Sequence, residues 1–287
     1  MGCGANQEET FTWFQAAKAG NIPVIQQLIP KMARQVDQRI TDADQDQFHG
    51  FSAIHYAVIY EQIDAVQELI EHEYFSRLQS DIQIMAPNIG PQAKYMLKEG
   101  SSIIHLSILV ANYEITKYIL NYSHKSGQSL IGIPDANGQY AINLLFSIQT
   151  TNYVIKVLHN QAMESELNCD FISKQCPGPL HMAGLFGRYK LIEHLLEYIQ
   201  SHPQVEYLDF KESIFKLVLM VHQNQSPIDA AKMPMDISRC GVISSERFRC
   251  QQAIQQLVEM AIQYLLDQGG ISAQIAQDYQ TFQASKE

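Results

Sequence analysis

Ten histidines and five cysteines are the residues of this 287-residue chain best suited to chemistry near neutral pH. A cysteine nucleophile needs a histidine base within hydrogen-bonding reach and a third group to orient that base. The thiols are Cys3, Cys169, Cys176, Cys240 and Cys250. Cys176 falls in a predicted hairpin, Cys240 in an irregular stretch and Cys250 on a helix face, so the sequence sets no pairing with His124 or His222. Metal chemistry has no firmer footing. There is no Cys-x-x-Cys and no His-Glu-x-x-His, and the interval from Cys169 to Cys176 does not suit a zinc knuckle. Asp42, Asp44 and Asp46 open like a calcium loop, but Gln47 replaces the turn glycine and Ala53 the bidentate glutamate. Neither Gly2-Cys3-Gly4 nor Gly184-x-x-Gly187 follows a predicted strand, so no phosphate-binding glycine turn is read. The expectation is a chain with no catalytic residues, no metal and no cofactor.

Gly2 and Cys3 are the remaining chemical candidates, as sites of N-myristoylation and of palmitoylation on the neighbouring thiol. Asn6 stands where Ser or Thr is preferred. One acyl chain holds a membrane only marginally, so the Cys3 thiol is what would make such a surface tether stable. The bulk properties narrow the rest. A hydrophobic share of 46% supplies ample core, and a net charge of −10 repels a phosphate backbone. With no cluster of Lys and Arg to overcome that charge, no nucleic-acid partner is expected. No apolar run approaches 18 residues, which excludes a transmembrane segment by that criterion. An odd cysteine count without a secretory apolar region predicts reduced thiols and a cytoplasmic location.

The elements that would position these residues come from a repeated phrase. It runs Gly, any residue, two small residues, aliphatic, His, any residue, small, and appears as Gly50-Phe51-Ser52-Ala53-Ile54-His55-Tyr56-Ala57 and again as Gly100-Ser101-Ser102-Ile103-Ile104-His105-Leu106-Ser107. Gly178-Pro179-Leu180-His181-Met182-Ala183 is a third version, and Gly138-Gln139-Tyr140-Ala141-Ile142-Asn143 a fourth with Asn in place of His. Each is followed by a stretch with apolar residues at intervals of three and four, beginning at Ile63, Tyr113, Tyr153 and Tyr189. That is the stripe of a helix buried on one face. Weaker versions flank them, at Trp13 to Asn21 and at Ser226-Pro227-Ile228-Asp229-Ala230-Ala231.

These strings resemble the Thr-Pro-Leu-His-x-Ala signature of ankyrin repeats, over roughly residues 10 to 232. The resemblance implies an all-α solenoid of about six helix–turn–helix units with short hairpin loops, helical insertions and a C-terminal helix. The units fall near 11–30, 46–71, 97–121, 135–159, 174–199 and 225–232, after a flexible terminus over 1–9. An irregular segment and C-terminal helix over 233–270 and a tail over 271–287 complete the chain. The positions 55, 105, 143, 181 and 229 lie further apart than the family period of about 33 residues. Segments 72–98 and 200–224 hold most of the excess. Asp209 to Gln223, with Phe210, Ile214, Leu217, Val218 and Val221, reads as an added helix. Arg247 to Leu266 reads as an amphipathic helix burying Ala253, Ile254, Leu257, Val258, Ala261 and Leu265, ended by Gly269-Gly270.

In the family, partners meet the hairpin tips and the exposed face of the first helices. The matching positions here are Ile59 and Tyr60, Leu109 and Val110, Ser147 and Ile148, and Leu185 and Phe186, apolar except for Ser147. Phe48, His49, Phe51, Lys98, Asn137, Gln139, Lys174 and Gln175 stand at the tips. An exposed apolar line of this kind marks an interaction surface, unless inserted loops or the C-terminal helix cover it. The function implied is a non-catalytic adaptor for a partner protein or peptide. The alternatives are an enzyme-like effector with catalytic groups in the enlarged loops, or a lipid-anchored scaffold. Abundant Gln, degenerate repeats and unusual insertions also resemble ankyrin proteins that intracellular bacteria such as Legionella deliver into host cells, implying host cytosol or membrane surface as the location.

Overall fold

The computed structural model describes residues 7–38, 49–85, 94–158, 160, 178–201, 208–232 and 244–286. Among them are fourteen helices and one two-stranded sheet. The chain divides into two compact units, Met1–Ala141 and Ile142–Glu287.

In the first unit, α1 (Gln7–Ala19) with α2 (Ile22–Met32), α3 (Ala53–Ile59) with α4 (Ile63–Glu73), and α5 (Ile103–Val110) with α6 (Tyr113–Ser126) form three helix–turn–helix pairs. The first helix of the middle pair, α3, packs between α1 and α5, and its second, α4, between α2 and α6. The sequence dictates this layering. The first helices of the second and third pairs, α3 and α5, are short and apolar nearly all round, and every residue from Ala53 to Val58 and from Ile103 to Leu109 is buried. The second helices bury one stripe, Ala65, Val66, Leu69 and Ile70 in α4 and Ile115, Ile119 and Leu120 in α6. Asn112 starts α6 by accepting a hydrogen bond from Ile115 N at 3.1 Å.

The chain is mostly helical, as an all-α class implies, with one small hairpin added among the described residues. Within the enlarged segment 72–98, β1 (Ile82–Met85) and β2 (Lys94–Leu97) pair antiparallel, with Ile82 opposite Leu97 and Ile84 opposite Tyr95. Ile84 and Leu97 turn inward and are buried, while Gln83, Met85, Lys94 and Met96 are exposed. The chain leaves this hairpin through Gly100, whose φ is +80° and where an added Cβ would stand 3.3 Å from Ala136 N. Only glycine meets both demands without strain.

The second unit contains α7 (Ala141–Ile148, its first residue closing the first unit), α8 (Thr151–Leu158), α9 (Pro179–Leu185), α10 (Tyr189–Ser201), α11 (Leu208–Val218), α12 (Pro227–Lys232), α13 (Ser244–Gln268) and α14 (Gly270–Ala284). In it α9 packs on α12, and α10 packs on both α8 and α13. The approach of α9 to α12 is close: a Cβ on Gly184 would lie 2.7 Å from Pro227 O. The added helix is α11, which buries Ile214, Leu217 and Val218 but ends before Val221, and Val221 is exposed. There the chain instead reverses from His222 to Gln225 through Gln223 and Asn224, both at positive φ, as a two-residue turn of the I′ kind requires. All six residues expected on the buried stripe of α13 are buried. The helix begins at Ser244 rather than Arg247, and Gly269, at positive φ, ends it; Gly270, also at positive φ, is the first residue of the next helix. The expected tail is α14, a regular helix that buries Ala276 and Tyr279.

Candidate binding surfaces

The repeated histidines open the first helices in a common way. Ser52 N donates to His55 Nδ1 at 3.1 Å, and Ser102 N to His105 Nδ1 at 3.2 Å, closing reciprocal caps on α3 and α5. With Nδ1 accepting, the ring proton sits on Nε2. His105 Nε2 donates to Gln139 O at 3.2 Å, and His181 Nε2 lies 2.9 Å from Gln225 O, each reaching the following loop. His55 points toward the backbone of Ser76, but its Nε2 falls short of a hydrogen bond. Asp229 takes the histidine's place in the last pair: its carboxylate accepts from Ser226 N and Ser226 Oγ, both at 2.8 Å. Burial pushes His55 down to about 3 and His105 to about 4, and it also lowers His181. A neutral ring whose lone pair and N–H are both engaged, as at His105, offers nothing to a substrate or metal.

Cys250 is fully buried, with its thiol pushed up to about 12 by desolvation, and so lacks thiolate character. No group of three or more His, Cys, Asp or Glu among the described residues is arranged to hold a metal ion. No described helix is long and apolar enough to cross a membrane. Gly2, Cys3, Cys169, Cys176, Cys240, the acidic run at 42–46, Phe48, Lys174 and Gln175 lie outside the described residues.

The expected apolar line is only partly exposed. Ile59, Tyr60 and Val110 in the first unit, and Leu185 and Phe186 in the second, are half-buried at or beside the ends of first helices. Phe51, Leu109, Ser147 and Ile148 are buried and belong to the core. The Phe51 ring packs 5.2 Å from Tyr56 and 5.3 Å from His55. The outward positions fail there because neighbouring parts of the chain pack over those faces of the first helices. At the tips, Lys98 is engaged by Asp81 at 2.6 Å. Asn137 N and Gln139 N both donate to Asp135 Oδ1 at 2.9 Å, which fixes that turn.

A concave feature lies elsewhere in the first unit, where the C-terminal ends of α4 and α6 meet the loops that follow them. It is a cleft of about 880 Å³, within the size range of ligand sites. Tyr74 forms its centre: its ring is 4.9 Å from Phe75 and 5.1 Å from Tyr122, and its hydroxyl donates to Gln128 O. Phe75 is 56% exposed. Glu71 and Glu99 are exposed members of the lining. Glu73 is buried behind it, its carboxylate accepting from Arg34 N and Ile54 N, both at 2.9 Å, and burial raises its pKa. The guanidiniums of Arg34 and Arg77 turn to carbonyl oxygens, of His72 at 3.1 Å and of Gly100 and Pro134 at 3.4 Å.

No family model and no curated protein matches the chain. Among solved structures, a chain from the complex of a predatory endopeptidase of Bdellovibrio bacteriovorus with an immunity protein is similar at 14% identity. The match covers 85% of this chain and 97% of that one, with a TM-score of 0.44, a likeness too slight to argue from.

The aromatic cleft escaped the sequence reading. The string Glu71-His72-Glu73-Tyr74-Phe75 is plain in the sequence, but it falls just where the apolar stripe that begins at Ile63 stops. Tyr122 joins it only through the packing of α4 on α6.

Proposed function

We propose that the chain is a degenerate ankyrin-repeat protein that works as a non-catalytic adaptor, holding a partner protein or peptide. The observation that carries this reading is recurrence of one helix start. Ser52 with His55 and Ser102 with His105 make the same cap, and Ser226 with Asp229 makes its carboxylate counterpart, each opening a short buried helix. In such a repeat the histidines serve the fold, and interaction is left to the half-exposed residues, Ile59, Tyr60 and Val110 in one unit and Leu185 and Phe186 in the other.

The test compares wild type with a Tyr60→Glu, Phe186→Glu double variant in affinity capture from cytosol. The expected result is a partner retained by wild type and lost by the variant, with circular dichroism and thermal midpoint close to wild type. Identical captured proteins would refute this surface. A variant that unfolds would assign both residues to the core.

A further inference from the structure

The cleft at the ends of α4 and α6 combines exposed aromatic surface with two exposed carboxylates, Glu71 and Glu99. Tyr74 joins Phe75 and Tyr122 into one aromatic wall, and the face of an aromatic ring attracts a cation. Among the described residues no cation stands over Phe75 or Tyr122, whereas Lys18 lies 4.9 Å from the Tyr56 ring and Lys117 6.0 Å from Tyr113. Both lining arginines are directed at carbonyl oxygens rather than at the rings of Phe75 and Tyr122.

The surrounding charge points the same way. The carbonyl ends of two helices open here, α4 at Glu73 and α6 at Ser126, and a helix C-terminus carries a partial negative charge. Glu71 is exposed in the last turn of α4 and close enough to Tyr118 of α6 to raise that phenol, after desolvation. The chain as a whole carries a net charge of −10, which favours encounter with basic partners.

We propose that this cleft receives one basic side chain, an arginine or lysine of a partner protein, laid on the rings of Phe75 and Tyr122 with Glu71 as its counter-charge. Tyr74 acts as a positioning residue, held by its bond to Gln128 O and setting both neighbouring rings. The proposal rests on the adaptor reading and gives the partner a chemistry: a protruding cationic residue.

The test uses the full chain carrying fluorinated phenylalanine, with the Phe75 resonance assigned through Phe75→Leu, and titrates it with N-acetyl-arginine amide. A saturable shift of that resonance is expected, with binding about tenfold weaker for the uncharged citrulline analogue. A similar weakening is expected when arginine is titrated into Glu71→Gln or, followed on Tyr122 fluorinated in the same way, into Phe75→Leu. Both substituted residues are exposed, so the fold should survive. Equal binding of arginine and citrulline, or an unmoved Phe75 resonance, would overturn the proposal. Tighter binding of N-acetyl-glutamate amide would overturn it too, and would make the cleft an anion site built on Arg34 and Arg77. Because the probe is a single amino acid, this result is independent of the capture experiment. The adaptor reading can fail while the arginine probe still binds, and the site can fail while a captured partner is still held.

Discussion

The imidazole of His105 accepts from Ser102 N on one nitrogen and gives its proton to Gln139 O on the other, so a second proton can enter only by displacing the first bond. An unfolded histidine takes up that proton near 6.5, whereas the folded chain defers it to about 3 at His55 and about 4 at His105. Between those limits the unfolded state binds more protons, and stability falls as pH falls, by roughly 1.4 kcal/mol per pH unit for each ring. Glu73 opposes this. Burial raises its pKa, so the folded state holds the proton more tightly and its contribution grows as pH drops through the raised value. His181, whose pKa burial also lowers, acts in the same direction as the two rings. Denaturant titrations should therefore lose about 3 kcal/mol of unfolding free energy between pH 6.5 and 5, before the Glu73 offset. A profile still flat in Glu73→Gln, which removes the carboxyl's offset, would mean that the rings protonate without leaving their places. The sequence located these rings correctly but not their partners, because Gln139 and Gln225 contribute backbone oxygens, which any residue carries.

Elements with a strong period were legible and elements with a weak one were not. The stripe of α13, from Ala253 to Leu265, follows the three-and-four spacing over more than three turns, and all of it is buried. The hairpin β1–β2 has four residues per strand, and Ile-Gln-Ile-Met or Lys-Tyr-Met-Leu is too short for alternation to stand out. The Gln-rich α14 carries hardly any stripe and buries only Ala276 and Tyr279. Besides packing on α13, it is attached by polar contacts, Ser272 Oγ to Glu212 at 2.6 Å and Lys286 to Asp229. Removing residues 270–287 should therefore cost only about 1–3 kcal/mol, the burial of one aromatic side chain and a methyl group. The shortened chain should melt in a single transition at a modestly lower midpoint, with helical ellipticity reduced by one helix. A chain that becomes insoluble would show instead that α14 covers a large apolar face.

Across the whole molecule, recurrence in the sequence predicted helix pairs well and predicted their solvent faces poorly. Whether Leu109 or Ile148 meets water depends on what packs against the helix from elsewhere in the chain, and the phrase that repeats contains no such information. Its small positions are different, because a close approach of two helices must be written into the residue at the crossing. Gly184, which follows the phrase's closing Ala183, stands at such a crossing in the second unit: a methyl group there would stand 2.7 Å from Pro227 O and 3.3 Å from Ala231 N, both main-chain atoms that cannot rotate away. Gly184→Ala should cost about 1–3 kcal/mol as α9 and α12 are forced apart. The first unit has a core of its own, with Trp13, Tyr56, Ile104 and Ile119 fully buried. Because α3 to α6 close a core within their own unit, the loss should stay near the crossing. Hydrogen exchange followed by mass spectrometry should find faster exchange in α9, α12 and α13, with α3 to α6 protected as in wild type. Equal loss of protection through α3 to α6 would mean that the two units unfold as one cooperative body. The same experiment then measures how far a single methyl group is felt along this chain.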